Sequence, residues 1–269
     1  MKISLINQQA IVWGQFNLCA VDMYKSGNLN PPQPTYFPAG WKLVKNIHAE
    51  AVVGFFREKE FIGFVAQSTQ QSHQFACVLH GSEGIADFLD DFEFILTDFN
   101  LVQNGGKTEY GFTRYYESFS FVDPDTDAQQ NLTEYLQELS NEETLPSFVV
   151  SGHSLGGALA TLHAVVLAEK GIDVDVYTYG SPMVGDSKFV QVYSNLVKNS
   201  YRIVNIPDIV PQLPGTLLGY EHVPRLFEVN SLDFPQIKRS ISCYHALSTY
   251  LYVLGSTGSD LTSCRATSE

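Results

Sequence analysis

The chain of 269 residues lacks several features that mark particular classes of protein. Its cysteines are far apart and form no Cys-x-x-Cys pair, which argues against a zinc site and against a dense disulfide scaffold. The spacing allows one bridge without indicating its partners among Cys19, Cys77, Cys243 and Cys264. No run reaches the roughly 18 apolar residues of a membrane span. The sequence also contains no internal repeat and no low-complexity segment.

Positive charge is scarce as well. Lys and Arg total 16 against 29 Asp and Glu, so the formal net charge is -13. The absence of a basic cluster argues against nucleic acid as a partner. Because an acidic surface is repelled by anionic lipid, any transient contact with a lipid interface should be apolar or local. The first nine residues lack the apolar run of a signal peptide, so we expect a soluble, cytoplasmic protein unless a leader precedes this sequence.

The most informative segment that is present reads Gly152-His153-Ser154-Leu155-Gly156-Gly157. It lies between an apolar, strand-like run at 148–150 and a helix-like run at 158–164. In a Gly-x-Ser-x-Gly elbow, this strand–turn–helix setting raises a serine hydroxyl above a sheet as a nucleophile. The alternative is a glycine-rich turn in which Ser154 caps the helix. The pattern favours the nucleophile.

Strands and helices alternate along the rest of the chain, which predicts an α/β fold with a mostly parallel central sheet and helices on both faces. We expect one domain over 1–269, with a helical and proline-rich extension at about 1–45. The predicted helices cover 6–25, 84–95, 108–119, 128–140, 155–170, 187–198 and 245–254. The predicted strands cover 61–66, 74–79, 147–151, 174–179, 200–205 and 227–229.

A serine nucleophile needs a base and an orienting carboxylate, which follow it along the chain in this architecture. Asp208 is the predicted acid because it lies just past an apolar strand, between two prolines. His245 is the predicted base, at the start of the last predicted helix. The rivals are Asp175, Asp186 and Asp233 for the acid and His222 for the base.

The oxyanion formed on attack needs backbone N–H donors. We expect one from Leu155 and the other from Ser82, in the loop after the strand at 74–79. The helix predicted next carries an apolar stripe that includes Phe88, Leu89 and Phe92. The stripe either packs in the core or forms a lid over the site.

These segments together resemble the class 3 lipases, the fungal-lipase-like family of α/β-hydrolases. The resemblance covers about 60–255. It rests on the elbow, on 79–91, 110–112, 179–186 and 205–211, and on Tyr244-His245. It implies an α/β-hydrolase fold, the triad Ser154, Asp208 and His245, an oxyanion hole of Ser82 and Leu155, and a lid at 83–92. Met183 departs from the arginine usual in the family.

The function implied is hydrolysis of acylglycerol-like or other apolar carboxylic esters through an acyl-enzyme, with no metal or cofactor. The expected substrate contacts are apolar and comprise Phe88, Leu89, Phe92, Met183, Val184, Val210 and Leu247. The alternatives are a phospholipase or feruloyl-type esterase and a non-catalytic, lipase-like binding or signalling module. The oligomeric state is left open by the sequence.

Overall fold

The computed structural model describes residues 4–53, 56–81, 94–257 and 261–266. The strands are β1 (Trp41–Val53), β2 (Phe56–Ser68), β3 (Gln74–Leu79), β4 (Leu96–Asp98), β5 (Lys107–Glu109), β6 (Ser120–Val122), β7 (Gln129–Asn131), β8 (Ser147–His153), β9 (Asp173–Tyr179), β10 (Asn199–Asn205) and β11 (Leu226–Val229). The helices are α1 (Leu5–Lys25), α2 (Tyr110–Glu117), α3 (Leu132–Ser140), α4 (Leu155–Glu169), α5 (Ser187–Leu196), α6 (Ile241–His245) and α7 (Leu247–Leu254).

The described residues form one large sheet in the order β11-β10-β9-β8-β3-β2-β1-β6-β7, with β4 and β5 paired separately. Strands β3, β8, β9, β10 and β11 are parallel to their neighbours in this half of the sheet. The other half, from β2 to β7, is antiparallel. The predicted α/β class is confirmed, with a mixed sheet whose parallel half has the predicted character.

Helices cover both faces of the sheet. The larger core lies under α2, α3, α4 and α5, and α4 buries nearly its whole length there, which agrees with its apolar sequence. The second core lies under α1 and α7, where the buried side of α1 includes Trp13, Phe16 and Ala20. Val12, which the sequence places on the same stripe, is instead exposed. None of the helices in the described ranges is both long and apolar enough to cross a bilayer.

Several predicted boundaries differ from the structure. Strand β1 was not predicted, because it mixes charged with apolar residues and so lacks a strand-like apolar run. Predicted helices 108–119 and 128–140 each open with a short strand, β5 and β7. Helix α3 begins after Asn131, which forms a capping box with Glu134. The predicted helix 84–95 lies outside the described residues, apart from Phe94 and Ile95, which are not helical.

Candidate active site

The elbow joins β8 to α4 at the carboxyl end of the parallel strands. Ser154 occupies a strained backbone conformation, with φ 57° and ψ -125°. Its backbone N–H donates to the carbonyl oxygen of Tyr179 at 2.9 Å, which ties the turn to the end of β9. The Ser154 side chain makes no capping hydrogen bond to α4, so it does not act as a helix cap. A strained backbone at a residue whose side chain does not cap the helix is typical of a functional turn.

Two glycines make the sharp turn sterically accessible. A Cβ at Gly152 would lie 2.0 Å from the carbonyl oxygen of Gly156, and a Cβ at Gly156 would lie 2.1 Å from that of Leu79. These contacts are with backbone atoms, which cannot rotate away. The elbow therefore requires glycine at both positions.

Asp208 lies three residues beyond β10 and is almost fully buried. Its backbone N–H donates to the carbonyl oxygen of Asn205 at 2.8 Å. Its Oδ1 accepts a hydrogen bond from the backbone N–H of Val210 at 3.0 Å. The loop thus fixes the carboxylate and leaves Oδ2 for other donors.

His245 ends α6, and the chain then turns at Ala246 before α7 begins. The sequence predicted one helix from 245 to 254, which the extended backbone of Ala246 (φ -58°, ψ 130°) interrupts. The His245 Nδ1 lies 2.8 Å from Asp208 Oδ2, in hydrogen-bond contact. Among the described residues, the buried His245 Nε2 has no hydrogen-bond partner. The structure therefore brings together the predicted acid and base, and leaves the base's second nitrogen available.

Two further contacts hold the segment that carries His245. The Nδ2 of buried Asn205 donates to the carbonyl oxygen of Tyr244 at 2.8 Å. Cys243 forms a disulfide with Cys264, which the sequence allowed without choosing the partners. The remaining cysteines, Cys19 and Cys77, are free and buried. The base is thus anchored from β10 and from the C-terminal region.

Sequence reasoning missed two residues beside this pair. The Tyr250 hydroxyl donates to Asp208 Oδ2 at 2.6 Å. The ring of His153 lies 4.7 Å from that of His245, and its Nε2 is 2.7 Å from the His245 carbonyl oxygen. Burial, the larger cause, and the nearby His245, the smaller one, lower the pKa of His153 to about 3. The His153 ring is therefore neutral and donates this hydrogen bond. His153 therefore lies beside the predicted base and supports its backbone.

The rival acids and base have other partners. Asp186 caps α5 by accepting from the backbone N–H of Phe189 at 2.8 Å. Asp233 accepts from the Asn230 amide, and Asp175 lies within β9. The Nε2 of His222 contacts the carbonyl oxygen of Pro211. The Asp–His contact beside the elbow is that of Asp208 and His245.

Of the two predicted oxyanion residues, only Leu155 is among the residues that the structure describes. Ser82 lies outside the described residues. Leu155 is buried at the first position of α4, where backbone N–H groups have no partner within the helix. A Cβ at Gly81 would lie 2.7 Å from the His153 carbonyl oxygen and 2.9 Å from Ser154 Cβ. The chain leaving β3 therefore passes directly against the elbow.

The predicted substrate contacts occupy different places. Phe88, Leu89 and Phe92 lie outside the described residues. Val184 and Val210 pack in the larger core and Leu247 in the second core. Met183 lines an open pocket of about 570 Å³ whose wall includes Asp208, Ile206 and Leu217. A role in substrate contact stays a prediction for each of them.

The elbow with its strained serine lies beside a buried imidazole–carboxylate pair. An imidazole held by a carboxylate can accept a proton from a hydroxyl and return it to a leaving group. In the part of the chain that the structure describes, no group of three or more His, Cys, Asp and Glu side chains is placed to hold a metal ion.

Comparison with known sequences places these residues in a family context. The family model described as "Lipase (class 3)" matches residues 76–218. A "Secreted mono- and diacylglycerol lipase 1" of Fusarium solani is 30% identical over 164 residues, which are 61% of this chain and 46% of that protein. A "Phospholipase A1-IIalpha" of Arabidopsis thaliana is 26% identical over 300 residues, which cover 93% of this chain and 70% of that protein. The chain thus spans about half of the first relative's length.

Solved structures with a similar fold are fungal lipases. The lipase of Rhizopus microsporus var. chinensis has a TM-score of 0.63 and 23% identity, and the match covers 85% of this chain and 75% of that one. The Rhizomucor miehei lipase in its propeptide complex has a TM-score of 0.62 and 23% identity, with 83% of this chain and 68% of that one covered. At these identities the likeness concerns the fold, which is that of the α/β-hydrolases.

Proposed function

The chain belongs to the class 3 lipase family, and we propose that it is a serine hydrolase of lipid-like carboxylic esters. The observation that carries the proposal is the Asp208–His245 contact of 2.8 Å beside the strained elbow of Ser154. The names of the related proteins, lipase and phospholipase A1, agree with this reaction type.

In the proposed reaction, His245 Nε2 takes the proton of Ser154 Oγ while that oxygen attacks the ester carbonyl carbon. Asp208 holds the imidazole in position and stabilises the imidazolium that forms. The tetrahedral intermediate collapses as its bond to the alcohol oxygen breaks, and His245 returns the proton to that oxygen. Water then attacks the acyl-enzyme by the same route, which releases the carboxylic acid and restores the Ser154 hydroxyl.

The negative oxygen of the intermediate needs preorganised donors. The backbone N–H of Leu155 is available at the first turn of α4, where the helix dipole also favours negative charge. We assign the second donor to Ser82, which follows Gly81 in the sequence; Gly81 itself lies against the elbow. Removal of one such donor typically costs about 10²- to 10³-fold in kcat.

An exposed apolar turn near the site supports the proposal that the substrate is presented at a lipid interface. The short 3-10 turn Thr216–Leu218 lies between two glycines, with Leu217 fully exposed and Leu218 more than half exposed. Leu217 also borders the pocket that Asp208 lines. With a net charge of -13, the protein should favour uncharged or zwitterionic lipid over anionic lipid.

The first test is a set of single variants with soluble p-nitrophenyl esters of graded chain length. Ser154→Ala, His245→Gln and Asp208→Asn should each lower kcat about 10³-fold or more, because each removes a member of one catalytic unit. Asp233→Asn, at an exposed rival position, is the matched control and should retain the wild-type rate. A folded Ser154→Ala protein with the wild-type rate would refute the proposal, and a wild type without activity on any ester would favour a non-catalytic module.

The second test concerns the lipid. Emulsified diacylglycerol and phosphatidylcholine vesicles separate the two activities named for the relatives. Leu217→Ser should weaken action on both surfaces by about 30-fold, since burial of a leucine contributes about 2 kcal/mol, and leave soluble butyrate ester hydrolysis unchanged. Leu145→Ser is the control, because this exposed leucine precedes the amino end of β8, whereas the elbow follows its carboxyl end. Equal loss in both variants would contradict an anchor at 216–218.

A further inference from the structure

We propose that Tyr250 is a positioning residue for the catalytic pair: its hydroxyl holds Asp208 and weakens the pull of that carboxylate on the His245 proton. This inference rests on the proposed function, because that function gives Asp208 and His245 their roles in the reaction. It adds a residue that lies in a different helix from the base and that no sequence motif indicates.

The carboxylate of Asp208 accepts hydrogen bonds from three donors. Oδ2 accepts two hydrogen bonds, from His245 Nδ1 at 2.8 Å and from the Tyr250 hydroxyl at 2.6 Å. Oδ1 accepts one from the backbone N–H of Val210 at 3.0 Å. The phenol and the imidazole therefore share a single oxygen, so the strength of one contact affects the other.

Tyr250 is held where this contact requires it. The residue is fully buried in α7, which follows α6 across the turn at Ala246. Its ring packs edge-on against Tyr179 of β9 at 6.4 Å and against His153 at 6.3 Å. The fixed ring gives the hydroxyl one direction, which is toward Asp208.

The hydroxyl stays a donor over the whole working range of pH. Burial, followed by the negative charge of Asp208, raises the pKa of Tyr250 well above its usual value. The phenol therefore remains protonated and cannot become a competing base for the Ser154 proton.

Among the groups around the pair, two neighbouring rings are neutral and one side chain of β10 is charged. His153 is neutral, because burial and then His245 lower its pKa to about 3. Burial also raises the pKa of Tyr179 well above its usual value, so that phenol is uncharged. Arg202 of β10 contributes positive charge near Tyr250. The attraction of the Asp208 carboxylate for the His245 ring therefore depends on the hydrogen bonds that the carboxylate oxygens accept.

A donor at Oδ2 stabilises the ionised carboxylate and disperses its charge. The attraction between Asp208 and a protonated His245 is then weaker than it would be without Tyr250. Loss of the Tyr250 hydroxyl should therefore favour the imidazolium form of His245, which cannot act as a base. The same contact restricts rotation of the carboxylate, which keeps the imidazole aimed at Ser154.

The test is Tyr250→Phe, which deletes the hydroxyl and keeps the ring. With p-nitrophenyl butyrate from about pH 4 to about pH 9, the acid limb of kcat/KM should move up by about 0.5 to 1 pH unit. At the pH optimum, kcat should fall about 5- to 50-fold while KM changes less than about 2-fold, since the contact orients the base rather than the substrate. Tyr193→Phe is the matched control: this buried tyrosine bonds Ser200 Oγ at 3.0 Å away from the pair, and its pH profile should coincide with that of the wild type.

A second measurement separates the inference from the proposed function. The ring resonances of His245, assigned by their loss in His245→Gln, are titrated by NMR in wild type and in Tyr250→Phe. A midpoint that moves to higher pH supports the role of Tyr250 even if no ester is hydrolysed, whereas that lack of turnover would refute the proposed function. If both the NMR midpoint and the acid limb are unchanged in a wild type whose activity Ser154→Ala abolishes, the positioning role is wrong and the proposed function stands.

Discussion

The nucleophile and the base reach the site by different structural means. The nucleophile segment, 147–169, is shaped by backbone atoms in contact: a Cβ at Gly156 would lie 2.1 Å from the Leu79 carbonyl oxygen. The base segment, 240–254, is held by side chains from elsewhere, such as the Asn205 amide on the Tyr244 carbonyl oxygen and the disulfide from Cys243 to Cys264.

This difference has a consequence for substitution. Backbone contacts in a close-packed turn leave no rotamer that could relieve a clash, so a larger residue at one of the glycines of the turn should affect folding and activity together. Side-chain contacts can be removed one at a time, so a change in the base segment should alter the position of His245 while the sheet stays folded. The two segments should therefore respond to substitution in different ways.

The largest effect is expected for Gly156→Ala in the nucleophile segment. The added methyl would meet two backbone oxygens, of Leu79 at 2.1 Å and of His80 at 2.5 Å, and β3 or α4 would have to move. We expect the free energy of unfolding to fall by more than about 3 kcal/mol and activity to be lost. Thermal unfolding followed by circular dichroism measures the first, and ester hydrolysis the second.

The control for this prediction is Gly171→Ala, beyond the end of α4. Gly171 has φ +80°, but the nearest atom to its Cβ is a Leu145 methyl at 3.6 Å. It should cost about 1 to 2 kcal/mol for the left-handed backbone and leave kcat unchanged. A Gly156→Ala protein that melted and turned over like the wild type would show that backbone contact does not limit the elbow.

The difference between the backbone contacts of the nucleophile segment and the side-chain contacts of the base segment also explains which features could be predicted from the sequence. The elbow depends on residues that are neighbours in the chain, and strands β3 and β8 were predicted within two residues of their observed ends. Asp208 was predicted as the acid because a loop after an apolar strand is also a local pattern. These features are encoded within about ten residues, so a single sequence contains the signal.

The contacts that complete the site are encoded at long range. Tyr250 and Asp208 are 42 residues apart and Asn205 and Tyr244 are 39 apart, so no periodicity links them. The break at Ala246 was missed because the apolar stripe of α7 continues smoothly from His245 in the sequence. Strand β1 was missed for a related reason: it pairs along its length with β2, and at residues 46–48 also with β6, in spite of its charged members.

Asn205→Ala, which removes an anchor of the base segment, should have an intermediate effect. It removes the donor to the Tyr244 carbonyl oxygen at 2.8 Å and breaks two contacts with Ser231 of 2.9 Å each, all in a buried place. We expect a loss of about 2 to 3 kcal/mol in the free energy of unfolding. We also expect kcat to fall about 10- to 100-fold as the imidazole shifts, with little change in KM.

Asn230→Ala is the control for the base segment, because Asn230 caps a short 3-10 turn next to Ser231 without touching α6. Its loss should be about 1 kcal/mol, with an unchanged kcat. If Asn205→Ala lowered stability while kcat stayed at the wild-type value, the base would not depend on this anchor, and the contrast between the two segments would lose its main support.

The smallest effect is expected from His163→Asn, which tests whether a buried polar group in the nucleophile segment can be changed without affecting the reaction. His163 lies fully buried in α4, with Nδ1 3.0 Å from the Tyr116 hydroxyl. Burial lowers its pKa to about 3, whereas an unfolded chain has a histidine pKa of about 6.5. The unfolded state therefore binds an extra proton between these values, so this group removes stability as the pH falls below about 6.5.

Urea unfolding at about pH 7 and about pH 5 measures this contribution. Over that interval His163→Asn should lose about 2 kcal/mol less stability than the wild type, because the variant has no proton to take up at this position. His73→Asn, at an exposed site, should follow the wild type. The kcat of His163→Asn should stay at the wild-type value, since neither ring nitrogen contacts the site. An equal pH-dependent loss in wild type and variant would mean that the folded protein accommodates a protonated His163, and that the interior of the nucleophile segment is less rigid than its turn.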